Sequence, residues 1–173
     1  MKIEARCRNI QLILSDVDGV LTDGGIVYNN QGIETKRFFA RDGLGIALWL
    51  RAGHKYGILT ARTSHIVKVR ADELGVDLVR QGFENKLPVA KEIIDQLALS
   101  TEQVCYIGDD LPDLAVMNLV GLGVAVADAA DDVRNGADYV SQRGGGRGAV
   151  RETIELILKS QRRWENLIQR YVG

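Results

Sequence analysis

The chain has 173 residues, 46% of them hydrophobic and 26% charged, a composition typical of one globular domain that is large enough to bury a core. Its 22 basic and 23 acidic residues leave a net charge of -1, which excludes the strongly basic surface that nucleic acids or acidic membranes attract. Cys7 and Cys105 lie far apart without metal-ligand spacing, so we expect reduced thiols. We predict a single cytoplasmic domain over residues 1–173, with no nucleic-acid or membrane partner.

The predicted elements alternate between strands and helices along most of the chain. After an initial turn or short helix over residues 2–9, apolar runs predict strands at 10–15, 56–60, 76–79, 104–107, 120–127 and 137–140. Other patterns predict helices at 43–52, 65–74, 88–97, 131–135 and 150–171, with Ser64 as an N-cap and a helical start at Pro112. This alternation predicts a Rossmann-like, doubly wound α/β fold with three layers and a mostly parallel sheet.

Residues 24–39 show a different pattern, in which two β-rich segments flank the turn-forming residues Asn29-Asn30-Gln31-Gly32. We predict a protruding β-hairpin. Its apolar side chains, among them Ile26, Tyr28 and Phe38, are many for an exposed ribbon, and an isolated hairpin is only marginally stable in water. The hairpin is therefore expected to pack on its own domain or on a second subunit.

The first predicted strand ends in two carboxylates, Asp16 and Asp18, followed at once by Gly19. Residues two apart in an extended chain project to the same side, so these like charges favour a shared cation or a raised pKa. A structural alternative is that both aspartates form a turn. A calcium loop is excluded, because Leu21 and Val27 stand where that motif requires glycine and glutamate.

Polar residues follow two further predicted strands. Thr60 ends the second strand, Asp109 and Asp110 follow the 104–107 strand, and Lys86 precedes a helix between them. Taken alone, Thr60 is an ordinary strand residue and Lys86 a solvated helix start. Because the carboxyl ends of parallel strands meet at one edge of the sheet, we expect these side chains to surround one ligand.

These residues resemble the four motifs of the haloacid dehalogenase superfamily of phosphotransferases. The matching segments are Asp16-Val17-Asp18-Gly19-Val20-Leu21-Thr22, Thr60, Lys86 and Gly108-Asp109-Asp110-Leu111-Pro112-Asp113, and the resemblance covers nearly the whole chain. The intervals between the first three are filled by the predicted hairpin, helices and strand, so the resemblance is to the type without a cap domain.

The resemblance implies a Mg²⁺-dependent phosphatase in which Asp16 is the nucleophile and Asp18 the general acid and base. Thr60 and Lys86 would bind phosphoryl oxygens. An aspartate can form an aspartyl-phosphate, which splits one difficult displacement into two easier ones.

The metal ligands implied are Asp16, the backbone carbonyl of Asp18, and Asp109. Asp110 and Asp113 would support these ligands from outer positions. Mg²⁺ prefers such oxygen ligands and usually keeps several waters.

A narrower resemblance, to phosphatases of sugar-acid phosphates, rests on Asn29-Asn30 and on residues 41–45, 81–82, 124–128 and 145–152. It implies an eight-carbon substrate, with a nine-carbon sugar acid as the alternative, and a homotetramer in which the hairpins pack together. The implied substrate-binding residues are Phe39, Ala40, Arg41, Asp42, Gly43, Arg62, Arg70 and Lys86. Ala61 departs from the glycine that the family usually has there.

Two other functions are alternatives to a phosphatase. A receiver-like phospho-switch also uses acidic residues, threonine and lysine around a phosphorylated aspartate, but it gains nothing from an acid and base at Asp18. A hydrolytic dehalogenase is disfavoured, because it needs neither Asp18 nor a metal. His54 and His65 match no motif and are predicted to be surface residues. Gly144–Gly148 is predicted to be either a flexible, substrate-sensing hinge or a plain loop.

Overall fold

The computed structural model describes residues 3–172, which form a six-stranded sheet in the order β5-β4-β1-β6-β7-β8. All neighbouring strands in this sheet are parallel. A separate antiparallel pair, β2 and β3, forms the hairpin. The strands are β1 Leu12–Ser15, β2 Val27–Tyr28, β3 Glu34–Thr35, β4 Lys55–Thr60, β5 Leu78–Gln81, β6 Val104–Gly108, β7 Leu122–Ala125 and β8 Tyr139–Val140.

Helices connect the strands and pack in two groups. One group contains α1, α2, α3 and α7, and the other contains α4, α5 and α6. Their bounds are α1 Ile3–Cys7, α2 Ala40–Arg51, α3 His65–Leu74, α4 Lys86–Gln96, α5 Leu114–Met117, α6 Asp131–Gly136, α7 Ala149–Ser160 and α8 Trp164–Ile168. Among residues 3–172, none of these helices has the length and apolar character needed to cross a membrane. The predicted α/β fold with a parallel sheet is confirmed.

The central strand β1 is covered on both faces, and all four of its residues are buried. It pairs with β4 on one side and with β6 on the other, with Ser15 opposite both Ile58 and Ile107. Burial on both faces favours a continuously apolar strand; residues 12–14 fit this rule, and the buried hydroxyl of Ser15 is paired with that of Tyr56 at 2.7 Å. The residues that directly follow β1 therefore emerge at the middle of the carboxyl edge of the sheet.

The predicted hairpin is confirmed, although its paired strands contain only two residues each. Its turn is closed by the Asn29 side chain, which accepts hydrogen bonds from the backbone N–H groups of Gln31 and Ile33, both at 2.9 Å. Ile26, Val27 and Ile33 are exposed on it. Within the described chain, the hairpin and α2 occupy the interval between β1 and β4, and α3 alone occupies that between β4 and β5.

The prediction of one helix over residues 150–171 is wrong. The helix stops at Ser160, Arg162 takes a left-handed conformation with φ 58°, and the chain resumes as α8. The side-chain amide of Gln161 donates to the backbone carbonyls of Cys7 and Ile10 at 3.1 and 2.8 Å. These two hydrogen bonds hold Gln161 against the domain at the point where the chain turns. Trp164, beyond the turn, is buried on the domain. Elsewhere β5 begins two residues later than predicted, since Val76 still bonds to the end of α3.

We predict that Arg162→Gly raises the free energy of unfolding by about 0.5–1 kcal/mol, because glycine adopts the left-handed conformation without the steric cost of a Cβ atom. Urea denaturation measures the change. Gly75→Ala is the reverse control: Gly75 has φ +70° with no heavy atom within 4 Å of an added Cβ, so it should lose about 1 kcal/mol from backbone strain alone. A destabilised Arg162→Gly would contradict the strain argument.

Candidate active site

Three carboxylates meet at the carboxyl edge of the sheet. Asp16 follows β1, Asp109 follows β6, and Asp113 closes the 3₁₀ turn Leu111–Asp113. One oxygen of each lies within 4.8 Å of the others. Because β1 and β6 are parallel neighbours, the residues that follow them leave the sheet side by side. The structure thus brings together Asp16 and Asp109 as the sequence predicted.

Lys86, the first residue of α4, supplies the positive charge of this cluster. Its Nζ lies 2.7 Å from Asp16 Oδ2 and 2.7 Å from Asp113 Oδ1, and its side chain is 1% exposed. Burial alone would lower the pKa of Lys86, but the two carboxylates raise it, so the ammonium stays charged. Burial raises the pKa of Asp16, and Lys86 opposes that shift. Lys86 is therefore a structural part of the cluster and not a solvated helix start.

Asp113 is saturated by hydrogen-bond donors. Besides Lys86, its carboxylate accepts from the hydroxyl of Tyr106 at 2.7 Å and from the backbone N–H groups of Asp109 at 2.9 Å and Asp110 at 3.3 Å. A carboxylate with four donors orients its neighbours better than it binds a cation. Tyr106 was missed from the sequence, although a tyrosine in a buried strand needs a partner for its hydroxyl.

Asp109 is the least satisfied member of the cluster. Its Oδ1 is buried and has no hydrogen-bond partner within residues 3–172. Burial, followed by the charges of Asp113 and Asp16, raises the pKa of Asp109 to about 8. An orphaned carboxylate oxygen beside excess negative charge is the donor set that suits a hard divalent cation. Asp16 and Asp109 can therefore hold such an ion.

The loop after β1 approaches these carboxylates closely. Gly19 has φ +89°, and a Cβ atom added to it would lie 2.0 Å from Asp109 Oδ2. On its other side, a Cβ atom at Gly145 would lie 1.8 Å from the backbone oxygen of Gly19, and the N–H of Gly146 donates to Val20 at 2.9 Å. Residues 144–148 are thus a loop packed on the candidate site, and their role as a flexible, substrate-sensing hinge stays a prediction.

Asp18 lies outside the 4.8 Å cluster and has a cation of its own. Its Oδ1 forms an ion pair with Nζ of Lys36, a hairpin residue whose side chain is 1% exposed. Lys36 Nζ also lies 3.3 Å from Glu34 Oε1. The sequence analysis did not single out Glu34 or Lys36. The available signal was their spacing of two residues in a predicted strand, which places both side chains on the same side of that strand.

Glu34 links the hairpin to the loop between β4 and α3. It accepts hydrogen bonds from Arg62 Nη2 at 2.8 Å and from Ser64 Oγ at 2.6 Å. Ser64 stands at the predicted N-cap position of α3, but its hydroxyl is turned to donate to Glu34, and its oxygen accepts no backbone N–H of the helix.

Two other predicted site residues differ in placement. Thr60 is buried at the carboxyl end of β4, next to β1 in the sheet. Asp110 is exposed, and its carboxylate accepts the backbone N–H of Leu111 at 2.8 Å, which caps the following turn. Asp110 therefore touches the cluster through its backbone N–H bond to Asp113 rather than through its charge.

The predicted substrate-binding residues fall into separate environments. Phe39, Gly43 and Arg70 line a narrow crevice beside α2 and α3, where a Cβ atom at Gly43 would meet Arg70 Nη2 at 2.4 Å. Ala40 and Arg41 are exposed at the start of α2, and the Arg41 guanidinium lies 6.0 Å from the centre of the Phe39 ring. Arg62 is held by the Tyr28 hydroxyl at 2.7 Å in addition to Glu34.

Asp42 is buried, and both of its oxygens are used inside the protein. They accept the backbone N–H groups of Gly148 at 3.2 Å and Arg151 at 2.8 Å, so a residue from α2 caps the start of α7. Burial raises the pKa of Asp42 to about 6, although these two amides oppose the shift. Both oxygens of Asp42 therefore serve the packing of α2 on α7, and its contact with substrate stays a prediction.

The prediction that both histidines are surface residues holds for His65, which is exposed, but not for His54. The His54 ring is half-buried and stacks on Trp49 with 4.1 Å between ring centres. Its Nε2 lies 2.9 Å from both Gln161 Oε1 and Arg163 Nη1. His54 therefore belongs to the packing of the opposite end of the sheet.

A buried lysine, paired carboxylates and a threonine at the carboxyl edge of a parallel sheet define the class of phosphoryl-transfer sites that use an aspartate nucleophile. A family model described as haloacid dehalogenase-like hydrolase matches residues 54–144. The chain belongs to the haloacid dehalogenase-like hydrolases.

Relatives within this family are similar over most of the chain. The chain is 45% identical to the Escherichia coli (strain B) 3-deoxy-D-manno-octulosonate 8-phosphate phosphatase KdsC over 92% of its length and 85% of that protein. A probable YrbI family phosphatase from Pseudomonas syringae is 44% identical with a TM-score of 0.97, covering 98% and 97% of the two chains. The Moraxella catarrhalis 3-deoxy-D-manno-octulosonate 8-phosphate phosphatase, solved with magnesium, phosphate and KDO, is 40% identical with a TM-score of 0.96 and the same coverage.

We predict that Gly19→Ala abolishes Mg²⁺ binding, because its Cβ atom would occupy the position of Asp109 Oδ2. Calorimetric titration with Mg²⁺ measures the loss. Gly32→Ala is the matched control, since Gly32 also has positive φ, +75°, but no atom within 4 Å of an added Cβ. This control should pay only about 1 kcal/mol of backbone strain and bind Mg²⁺ normally; equal binding by both variants would refute the close-approach argument.

We predict that Asp42 makes the protein less stable as the pH rises through 6. A carboxyl with a native pKa of about 6 and an unfolded pKa near 3.9 gives stability that is complete below about pH 4 and lost as the pH rises through 6, by up to about 3 kcal/mol. As the pH is raised from 4 to 7, the unfolding free energy of wild type should fall relative to that of Asp42→Asn. Asp72→Asn, on the exposed side of α3, controls for removal of one charge; a pH-independent difference for Asp42→Asn would contradict the prediction.

Proposed function

We propose that this protein is a Mg²⁺-dependent phosphatase that hydrolyses 3-deoxy-D-manno-octulosonate 8-phosphate through an aspartyl-phosphate on Asp16. The observation that carries the proposal is the placement of Asp16 between Lys86 and Asp109, in a chain 45% identical to a phosphatase with this substrate. Family membership also argues against the receiver-like phospho-switch, because the named relatives are phosphatases.

In the first step, the Asp16 carboxylate attacks phosphorus while the bond to the ester oxygen breaks, and Asp18 gives its proton to the leaving alkoxide. In the second step, Asp18 takes a proton from water, and the hydroxide attacks phosphorus to release phosphate and regenerate Asp16. Lys86 Nζ and the Thr60 hydroxyl donate to the phosphoryl oxygens, where charge is spread in the transition state.

Asp16, Asp109 and the backbone carbonyl of Asp18 are the residues that would hold Mg²⁺. The bound ion would neutralise charge on the phosphoryl oxygens. Asp113 would support these residues without binding the ion, since its carboxylate accepts hydrogen bonds from Lys86, Tyr106 and the backbone N–H groups of Asp109 and Asp110. The orphaned Asp109 Oδ1 gains its missing partner when the ion binds.

The sugar acid brings a carboxylate in addition to the phosphate, and arginine is the side chain best suited to bind it. Arg41, Arg62 and Arg70 are the candidates. A nine-carbon sugar-acid phosphate is the alternative substrate, and Ala61 is the departure that separates this chain from the family pattern. The homotetramer stays a prediction that rests on resemblance, and the cytoplasmic location stays one that rests on the composition and cysteine usage of the sequence. The exposed Ile26, Val27 and Ile33 of the hairpin support an interface between subunits.

We predict that the purified protein with Mg²⁺ releases phosphate from the eight-carbon sugar-acid phosphate with a higher kcat/KM than from nine-carbon analogues. Asp16→Asn should lower kcat by about 10³-fold or more, because no other group can form the covalent intermediate. Asp131→Asn, on the exposed α6, is the control for charge removal. Full activity of Asp16→Asn, or no phosphate release from any sugar-acid phosphate by wild type, would overturn the assignment.

A further inference from the structure

We propose that Lys36 of the hairpin is a positioning residue, which holds the Asp18 carboxylate apart from the metal-binding carboxylates of Asp16 and Asp109. Its catalytic consequence rests on the phosphatase function proposed above. Its consequence for metal binding does not depend on any substrate.

Asp18 needs such a partner because of where β1 places it. Asp16 follows β1 directly, and Asp18 lies two positions further on in the turn that begins there, so both carboxylates are close enough to the carboxyl edge to turn toward a cation. Among the acidic side chains of residues 3–172, those of Asp16, Asp109 and Asp113 come within 4.8 Å of one another there. Asp18 is instead turned to the Nζ of Lys36. A divalent cation held by Asp16 and Asp109 would attract the Asp18 carboxylate unless another cation held it.

Lys36 is well fixed for this task. Its side chain is 1% exposed, and its Nζ lies 3.3 Å from Glu34 Oε1 in addition to pairing with Asp18. Glu34 is itself held by Arg62 and Ser64. Moving this buried ammonium is costly, because the carboxylate that it leaves would remain charged, largely desolvated and unpaired. By contrast, the neighbouring Arg37 is 78% exposed in its pair with Asp23.

Removing the Lys36 charge should therefore change metal binding and catalysis in opposite directions. The Asp18 carboxylate becomes free to join Asp16 and Asp109, so the site binds Mg²⁺ more tightly. The same movement takes Asp18 away from the leaving oxygen, so turnover becomes slower. General loss of structure would instead weaken both.

The test is Lys36→Met, which removes the ammonium and keeps a side chain of similar length. Calorimetric titration should show a Kd for Mg²⁺ about three- to tenfold lower than in wild type. The kcat for the sugar-acid phosphate should fall about ten- to a hundredfold, with KM changed less than kcat. Lys36→Arg should restore most of both quantities, and Arg37→Met should leave both as in wild type. Lys36→Gln replaces Lys36→Met if the latter fails to fold.

The Asp18→Asn background separates positioning of Asp18 from a general effect of charge. With the Asp18 charge absent, Lys36→Met should change the Kd for Mg²⁺ by less than about twofold. Tightening of full size in this background would overturn the proposal, as would weaker or unchanged Mg²⁺ binding in Lys36→Met alone. If wild type lacks phosphatase activity, the proposed function fails, while the Mg²⁺ titrations still decide the role of Lys36.

Discussion

The buried ammonium of Lys86 is the charge on which the carboxyl edge of this sheet depends. It contacts Asp16 and Asp113 at 2.7 Å each while being 1% exposed. Breaking one side of a buried pair typically costs about 3–5 kcal/mol, because the remaining charge is left desolvated and unpaired. Lys86 thus allows three aspartates to gather in a space where they would otherwise repel one another, and it leaves enough negative charge to attract a metal ion.

Two lysines with different partners balance the negative charges at the carboxyl edge of the sheet. Lys86 serves Asp16 and Asp113 at the centre, and Lys36 serves Asp18 at the side. This division gives the two carboxylates that follow β1 different surroundings, although they are the same residue type two positions apart. Different surroundings are what the proposed mechanism requires, because in it one carboxylate acts as nucleophile and the other carries a proton.

Segments distant in sequence support the loop that carries these aspartates. Asp42 fixes the start of α7 through the backbone of Gly148 and Arg151, and the glycines just before α7 press against Gly19. The approach of Gly145 to Gly19 is possible only because glycine has no side chain, since a Cβ atom at Gly145 would lie 1.8 Å from the Gly19 backbone oxygen. Residues 145–151 therefore support the loop that carries Asp16 and Asp18.

The sequence by itself determined the parallel α/β fold, the hairpin and the meeting of Asp16 with Asp109, because apolar periodicity and polar strand ends are local signals. It placed Lys86 at the start of a helix without showing that the lysine is buried. Only the tertiary structure decided the partner of Asp18, the capping role of Asp42 and the break after Ser160. Each of these depends on a bond between residues far apart along the chain: 18 positions from Asp18 to Lys36, 106 from Asp42 to Gly148 and 151 from Ile10 to Gln161. A pattern read within one segment reports which face is buried, but it does not report which distant side chain will lie against it.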